Sequence, residues 1–150
     1  MKNTVKEMLE VKGRDVWSIE ASRTVYQAIE KMAEKEVGAL TVIDAEARLA
    51  GIVSERDYAR KVILKNKSSR KMLVAEVMTT EVVFVEEETT VEHCMSLMDQ
   101  KKIRHLPVMD GETLVGMITV GDLLKFTIKK QSVAIEELEG FIMEENGGEG

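Results

Sequence analysis

The chain has 150 residues, room for one domain or for two small ones packed closely. A formal charge of −6 argues against a general nucleic-acid surface, which needs an excess of Lys and Arg to neutralise phosphates. Apolar residues make up 44% but aromatics only 4%, so ten methionines and many aliphatic side chains must fill the interior, and no apolar run is long enough to cross a bilayer.

Residues Met1 to Glu10 carry acids and no signal-like apolar stretch, so neither a leader nor a membrane partner is expected. A strand is expected near Val16–Ile19, followed by a helix that Ser22 or Thr24 can cap. That helix places Val25, Ile29, Met32 and Ala33 on one face. Leu40–Ile43 and Leu49–Val53 are short branched runs that suit strands, joined by a hairpin turn over Asp44–Arg48. A second helix is expected over Glu55–Leu64, and Asn66–Arg70 reads as a polar connector. From Ala59 to Ala75 there are basic residues and no acids, which suits either a solvated linker or a rim facing phosphate.

The order then recurs. Val82–Val85 reads as a strand and Thr90–Lys101 as a helix with Val91, Cys94, Met95 and Met98 inward. His105–Met109 and Leu114–Thr119 read as strands around the turn Asp110-Gly111-Glu112, and Val120–Ile128 as a helix. Thr24, Met32 and Asp44 match Thr90, Met98 and Asp110 at an offset of 66, while Gly51, Ser54 and Asp57 match Gly116, Thr119 and Asp122 at 65. Val5–Leu9 matches Val74–Met78 at 69. The chain therefore divides into a first repeat over 1–66, a second over 67–130 and a C-terminal segment over 131–150. Neither repeat can bury its sheet well alone, so an α+β pair packed face to face is expected. Val133–Met143 should form a further helix lying on the module or on a second copy of it, with a frayed acidic tail from Glu144.

Two stretches carry the chemistry. Gly51-Ile52-Val53-Ser54-Glu55-Arg56-Asp57 and Gly116-Met117-Ile118-Thr119-Val120-Gly121-Asp122 each place a hydroxyl and a carboxylate where a strand becomes a helix. A carboxylate can accept both hydroxyls of a ribose, and helix amides with a nearby Arg complement a phosphate. The same spacing is also an N-cap pattern, in which those oxygens satisfy free helix amides, and the two roles are compatible. His93 has no partner at metal-ligand spacing and reads as helix surface, and Cys94 reads as core. As the single cysteine, Cys94 excludes an internal disulfide and suits a reducing cytoplasm. No nucleophile elbow, Walker loop or metal-ligand pair can be read, which favours a binding module over an enzyme.

The tandem strand-helix-strand-strand-helix order, the two Gly-x-x-(Ser/Thr)-x-x-Asp stretches and Ile103-Arg104-His105-Leu106-Pro107-Val108 resemble a pair of CBS domains, the Bateman module. The resemblance implies a stand-alone regulatory module that binds an adenosyl ligand: AMP, ATP, NAD or S-adenosylmethionine. It implies that Asp57 and Asp122 grip ribose, that Ser54 and Thr119 lie beside ribose or phosphate, and that Arg104 and His105 reach the phosphates ahead of Pro107. Gly51 and Gly116 open the two motifs; the resemblance implies that backbone groups near Val82 and Leu106 in one copy, and near Trp17 and Leu40 in the other, hold the adenine edge. The first copy has Gly38-Ala39 where the second has Arg104-His105, so Arg56 would have to substitute and the second site is expected to be the better one. A homodimer is expected, because exposed helix faces on so small a module need cover. The alternative reading is a ligand-free interaction module that regulates a partner enzyme; an enzyme acting on a nucleotide is a third.

Overall fold

The computed structural model describes residues 3–147, with side chains as far as residue 140. Its elements run α1 (Val5–Lys12), β1 (Ser18–Glu20), α2 (Val25–Lys35), β2 (Ala39–Ile43), β3 (Leu49–Ser54), α3 (Glu55–Tyr58), α4 (Val74–Val77), α5 (Val91–Lys101), β4 (His105–Asp110), β5 (Thr113–Thr119) and α6 (Val120–Gly147). Past α3 the chain continues in π-helical geometry over Ala59–Ile63, where a single regular helix to Leu64 was expected.

In the first repeat, Thr24 starts α2 as its spacing predicts. Its hydroxyl accepts from the Gln27 amide at 3.2 Å, and the Gln27 side chain accepts from the Thr24 amide at 3.0 Å. The helix buries Val25, Ala28 and Met32 against a sheet of order β1-β2-β3, in which β1 pairs parallel to β2 and β2 antiparallel to β3. The second repeat reproduces the β4-β5 hairpin with Cys94 buried under it. Burial pushes the Cys94 thiol up to about 11, so it is a packing group with little thiolate at neutral pH.

One expected strand is missing. Val82–Val85 shrinks to a single bridge between Val85 and Val108. In the first repeat the Thr41 amide donates to the Trp17 carbonyl at 3.2 Å and extends the ladder. At the offset of 66 Thr41 corresponds to Pro107, which has no N–H to donate, so the ladder stops after the bonds made by Val85.

The two cores exchange their leading helices. Val5, Met8 and Leu9 of α1 lie in the core of the second repeat, with Cys94, Leu106 and Ile118. Val74 and Val77 of α4 lie in the core of the first, with Met32, Leu40 and Val53. Backbone bonds hold each helix in place: the Val5 amide donates to the Thr89 carbonyl at 2.8 Å, and the Val74 amide to the Arg23 carbonyl at 2.8 Å. The boundary near residue 66 therefore separates the repeats in sequence, while each core draws a helix from the other side of it.

Gly51 and Gly116 make this exchange sterically feasible. A Cβ at position 51 would lie 2.7 Å from the Thr79 carbonyl oxygen and 2.9 Å from the Met78 sulfur; one at 116 would lie 2.8 Å from the Leu9 Cδ2. Both glycines are buried against the exchanged segments, so packing alone accounts for them. Gly51→Ala is expected to cost about 2 kcal/mol, because a backbone carbonyl must move, and Gly116→Ala less, because a Leu end can turn. Urea titration of the two variants checks the order; equal costs, or a larger one at 116, would refute it.

The C-terminal segment is one helix of 28 residues, not a repeat helix followed by a separate one. Between Ile128 and Val133 the sequence is Lys-Lys-Gln-Ser, with no Gly or Pro to stop propagation. Helix also includes residues 144–147 of the expected frayed tail; residues 148–150 lie outside the described ones.

Candidate functional site

A crevice of about 490 Å³ lies between the repeats, within the range that holds small-molecule ligands. The first repeat contributes Ser54, Arg56, Asp57 and Arg60 from the end of β3 and the helix after it. The second contributes Val82, Val83, Arg104, His105 and Pro107. Four basic residues (Arg56, Arg60, Lys102, Arg104) and three acidic ones (Glu55, Asp57, Glu81) line it together. Guanidinium groups there suit a phosphate, and the apolar wall of Val82, Val83 and Pro107 suits a flat base.

Ser54 and Asp57 form a complete cap. The Ser54 Oγ accepts from the Asp57 amide at 3.2 Å, and Asp57 Oδ2 accepts from the Ser54 amide at 3.0 Å. Lys61 stands 3.2 Å from Asp57 Oδ1. Capping does not turn the carboxylate away: Asp57 still lines the crevice, and although Oδ2 accepts from both the Ser54 amide and the Ser54 hydroxyl, Oδ1 keeps a lone pair for a hydroxyl donor. Arg56 spans the repeats by donating to the Lys102 carbonyl at 3.2 Å.

The equivalent pair in the second repeat sits differently. Asp122 Oδ2 accepts from the Thr119 amide at 2.9 Å, the Thr119 hydroxyl accepts from the Asp122 amide at 3.0 Å, and Lys12 lies 2.5 Å from Asp122 Oδ2. Burial pushes the Asp122 carboxyl up, but the Lys12 ammonium and the Thr119 amide outweigh it and hold the group below its ordinary value. The fold brings Asp57 into one crevice lining with Arg104 and His105, because the crevice is built across the repeats, while Asp122 acts on the His105 charge from outside that lining. Thr119 and Asp122 are not among the residues lining this crevice. The offset of 69 places Lys12 at the position of Glu81, so a cation sits on Asp122, whereas an acid lines the crevice together with Asp57.

Three other candidates also stand apart. Leu40 and Leu106 are fully buried in the two cores, so a base would meet their backbone groups and not their side chains. Trp17 lies under the Lys35 ammonium at 4.3 Å, its carbonyl engaged by Thr41, and does not line the crevice. Arg60, Lys102 and Thr79 do line it and were not singled out. Only the basic run around Arg60 hinted at any of them. The rest of that run divides: Lys61 pairs with Asp57, and Arg70 stacks on Tyr26 at 4.0 Å.

His105 stands at the junction, with Gly38 beside it and Asp122, Arg104, Lys12 and Arg56 acting on its charge. Burial lowers its pKa, Asp122 raises it, and the three cations lower it further, leaving it below 6.5. The ring is thus expected to be neutral at pH 7. Because the lowered value belongs to the folded state, the unfolded chain takes the proton first, and stability falls as pH drops below 6.5 toward the folded midpoint. An NMR titration of the His105 ring checks this, and a midpoint at or above 6.5 contradicts it.

Among the described residues no three His, Cys, Asp or Glu side chains gather to hold a metal, and no helix is long and apolar enough to cross a membrane. Fold and crevice together define a duplicated α+β module with a ligand-sized space between its halves. The chain belongs to the CBS-domain family: the CBS domain matches residues 5–64 and again 74–129. It is 33% identical over 148 residues to the mitochondrial CBS domain-containing protein CBSX3 of Arabidopsis thaliana, covering 93% of this chain and 71% of that one. It is 34% identical over 116 residues to CBSCBSPB5 of the same plant, covering 77% of this chain but spanning only 21% of that longer protein. Among solved structures it resembles a protein with CBS domains from Burkholderia ambifaria, ascribed to signal transduction, at 46% identity and a TM-score of 0.83, covering 86% of this chain and 96% of that one.

Proposed function

We propose that this CBS pair is a regulatory, non-catalytic module that takes an adenosyl nucleotide (AMP, ATP, NAD or S-adenosylmethionine) into the crevice between its repeats. The observation that carries this reading is the convergence of Ser54 and Asp57 from one repeat with Arg104 and His105 from the other around one ligand-sized space. In this reading Asp57 accepts the ribose hydroxyls, Arg104 and Arg56 meet the phosphate, and the base lies against Val82 and Pro107. A ligand touching both repeats favours one arrangement of them over another, and that difference in affinity is the signal passed to a second copy or to a regulated enzyme. With Cys94 buried as a thiol, a reducing compartment such as the cytoplasm suits the protein.

A thermal-shift panel of AMP, ATP, NAD and S-adenosylmethionine tests the reading. Ligand at about one hundred times its Kd adds about 2.7 kcal/mol. For a chain of this size that is a rise of roughly 5–11 °C. A flat response to all four compounds would refute the proposal.

A further inference from the structure

A second space, of about 330 Å³, lies between α1 and α6 and is independent of the nucleotide reading. Its apolar lining is Met8 and Val11 from α1 with Phe126 and Val133 from α6. At about 100° per residue, Phe126 and Val133 stand within about 20° of each other and form one line along the helix. Met8 and Phe126 are buried, but Val11 is 62% exposed and Val133 44%, so the apolar strip runs out to solvent. The rim is basic although the whole chain is acidic. Lys12, Lys125, Lys129 and Lys130 border the groove with two acids, Glu7 and Asp122. Both acids are taken: Lys130 lies 2.5 Å from Glu7, and Lys12 2.5 Å from Asp122. Among the described residues no acid pairs with Lys125 or Lys129, which are four residues apart and share one side of α6.

The duplication supplies an internal comparison. At the offset of 65 Phe126 corresponds to Lys61, and at 69 Met8 corresponds to Val77. In the first repeat the Lys61 ammonium donates to the Val77 carbonyl at 2.8 Å and pairs with Asp57. A charged tie thus spans the two elements where the second repeat has an apolar floor. We propose that this groove binds a free straight-chain fatty acid as its carboxylate, the head held between Lys125 and Lys129 and the chain laid along Phe126 and Val133. The lining selects that class. An apolar trough rejects a ligand that is polar along its length, since each polar group buried there would lack a partner. Two ammonium groups at one edge, with no acid of their own, call for a single anionic end.

Calorimetric titration of the full chain with dodecanoate, kept below its micelle-forming concentration, tests this. Saturable binding is expected, with hexanoate weaker by about tenfold or more because fewer methylenes leave water. Dodecyltrimethylammonium, with a similar chain and a cationic head, is expected not to bind. Val133→Glu sets a carboxylate on the exposed strip and is expected to abolish binding with little change in melting temperature. Lys125→Glu combined with Lys129→Glu is expected to weaken binding by about tenfold at low salt. Asp57→Asn, which alters the crevice between the repeats, is expected to leave dodecanoate binding unchanged and so separates the two sites. A wild type that does not bind, equal binding of the cationic analogue, or full binding by Val133→Glu or by the double lysine variant would each overturn the proposal. So would a loss of binding in Asp57→Asn.

Discussion

Asp57→Ala is expected to erase the rise in melting temperature that adenosyl ligands produce, while leaving a folded protein. A hydrogen bond to a charged group contributes about 1.5–3 kcal/mol, so losing the one that Oδ1 can make to a ribose weakens binding by about ten- to a hundredfold. Removing the carboxylate also removes a cap, at about 1 kcal/mol, so each variant must be compared with its own ligand-free baseline. Asp57→Asn keeps one acceptor for the Ser54 amide but loses the charge and turns the other oxygen into an NH2 donor, so its baseline should stay near wild type while its ligand response shrinks. Asp122→Ala should keep its response, because Asp122 is engaged by Lys12 and lies outside the lining of the crevice. A response in Asp57→Ala as large as in wild type would remove ribose recognition from this carboxylate.

Leu9→Ala is expected to be the most damaging single truncation near the N-terminus, at about 3 kcal/mol, or a fall of roughly 6–12 °C. The residue is 1% exposed and sits in the core of the second repeat, so the damage should appear far from it in sequence. Hydrogen exchange should speed up first across α5, β4 and β5, which that core supports, rather than across β1, β2 and β3. A further consequence follows from the contact with Gly116. In the Leu9→Ala background, Gly116→Ala places its new methyl in the space just vacated and should cost less than it does alone. Additive costs, or faster exchange confined to the first repeat, would contradict the helix exchange.

Much of this architecture was legible because it is local. The duplication showed in the offsets of 66 and 65, the helices that begin at Val25 and span Thr90–Lys101 in their 3.6-residue spacing, and the caps in Thr24 and Ser54. The shorter Asp110-Gly111-Glu112 turn accounts for the residue lost between the two offsets, with Gly111 at a φ of 62°. Ser54 and Asp57 could likewise be named beforehand, since their spacing alone sets the cap that holds them at a helix start.

By itself, then, the sequence determined which residues must be buried, where helices begin and that one unit occurs twice, because periodicity and capping act between neighbours a few residues apart. Only the tertiary structure decided which partner each buried face meets. Val5, Met8 and Leu9 had to be covered, but their own pattern does not say under which sheet; that choice follows from the space left at Gly116, as Met78 follows from Gly51. The meeting of Asp57 with Arg104 and His105, 47 and 48 residues further along the chain, follows from the same crossing of halves.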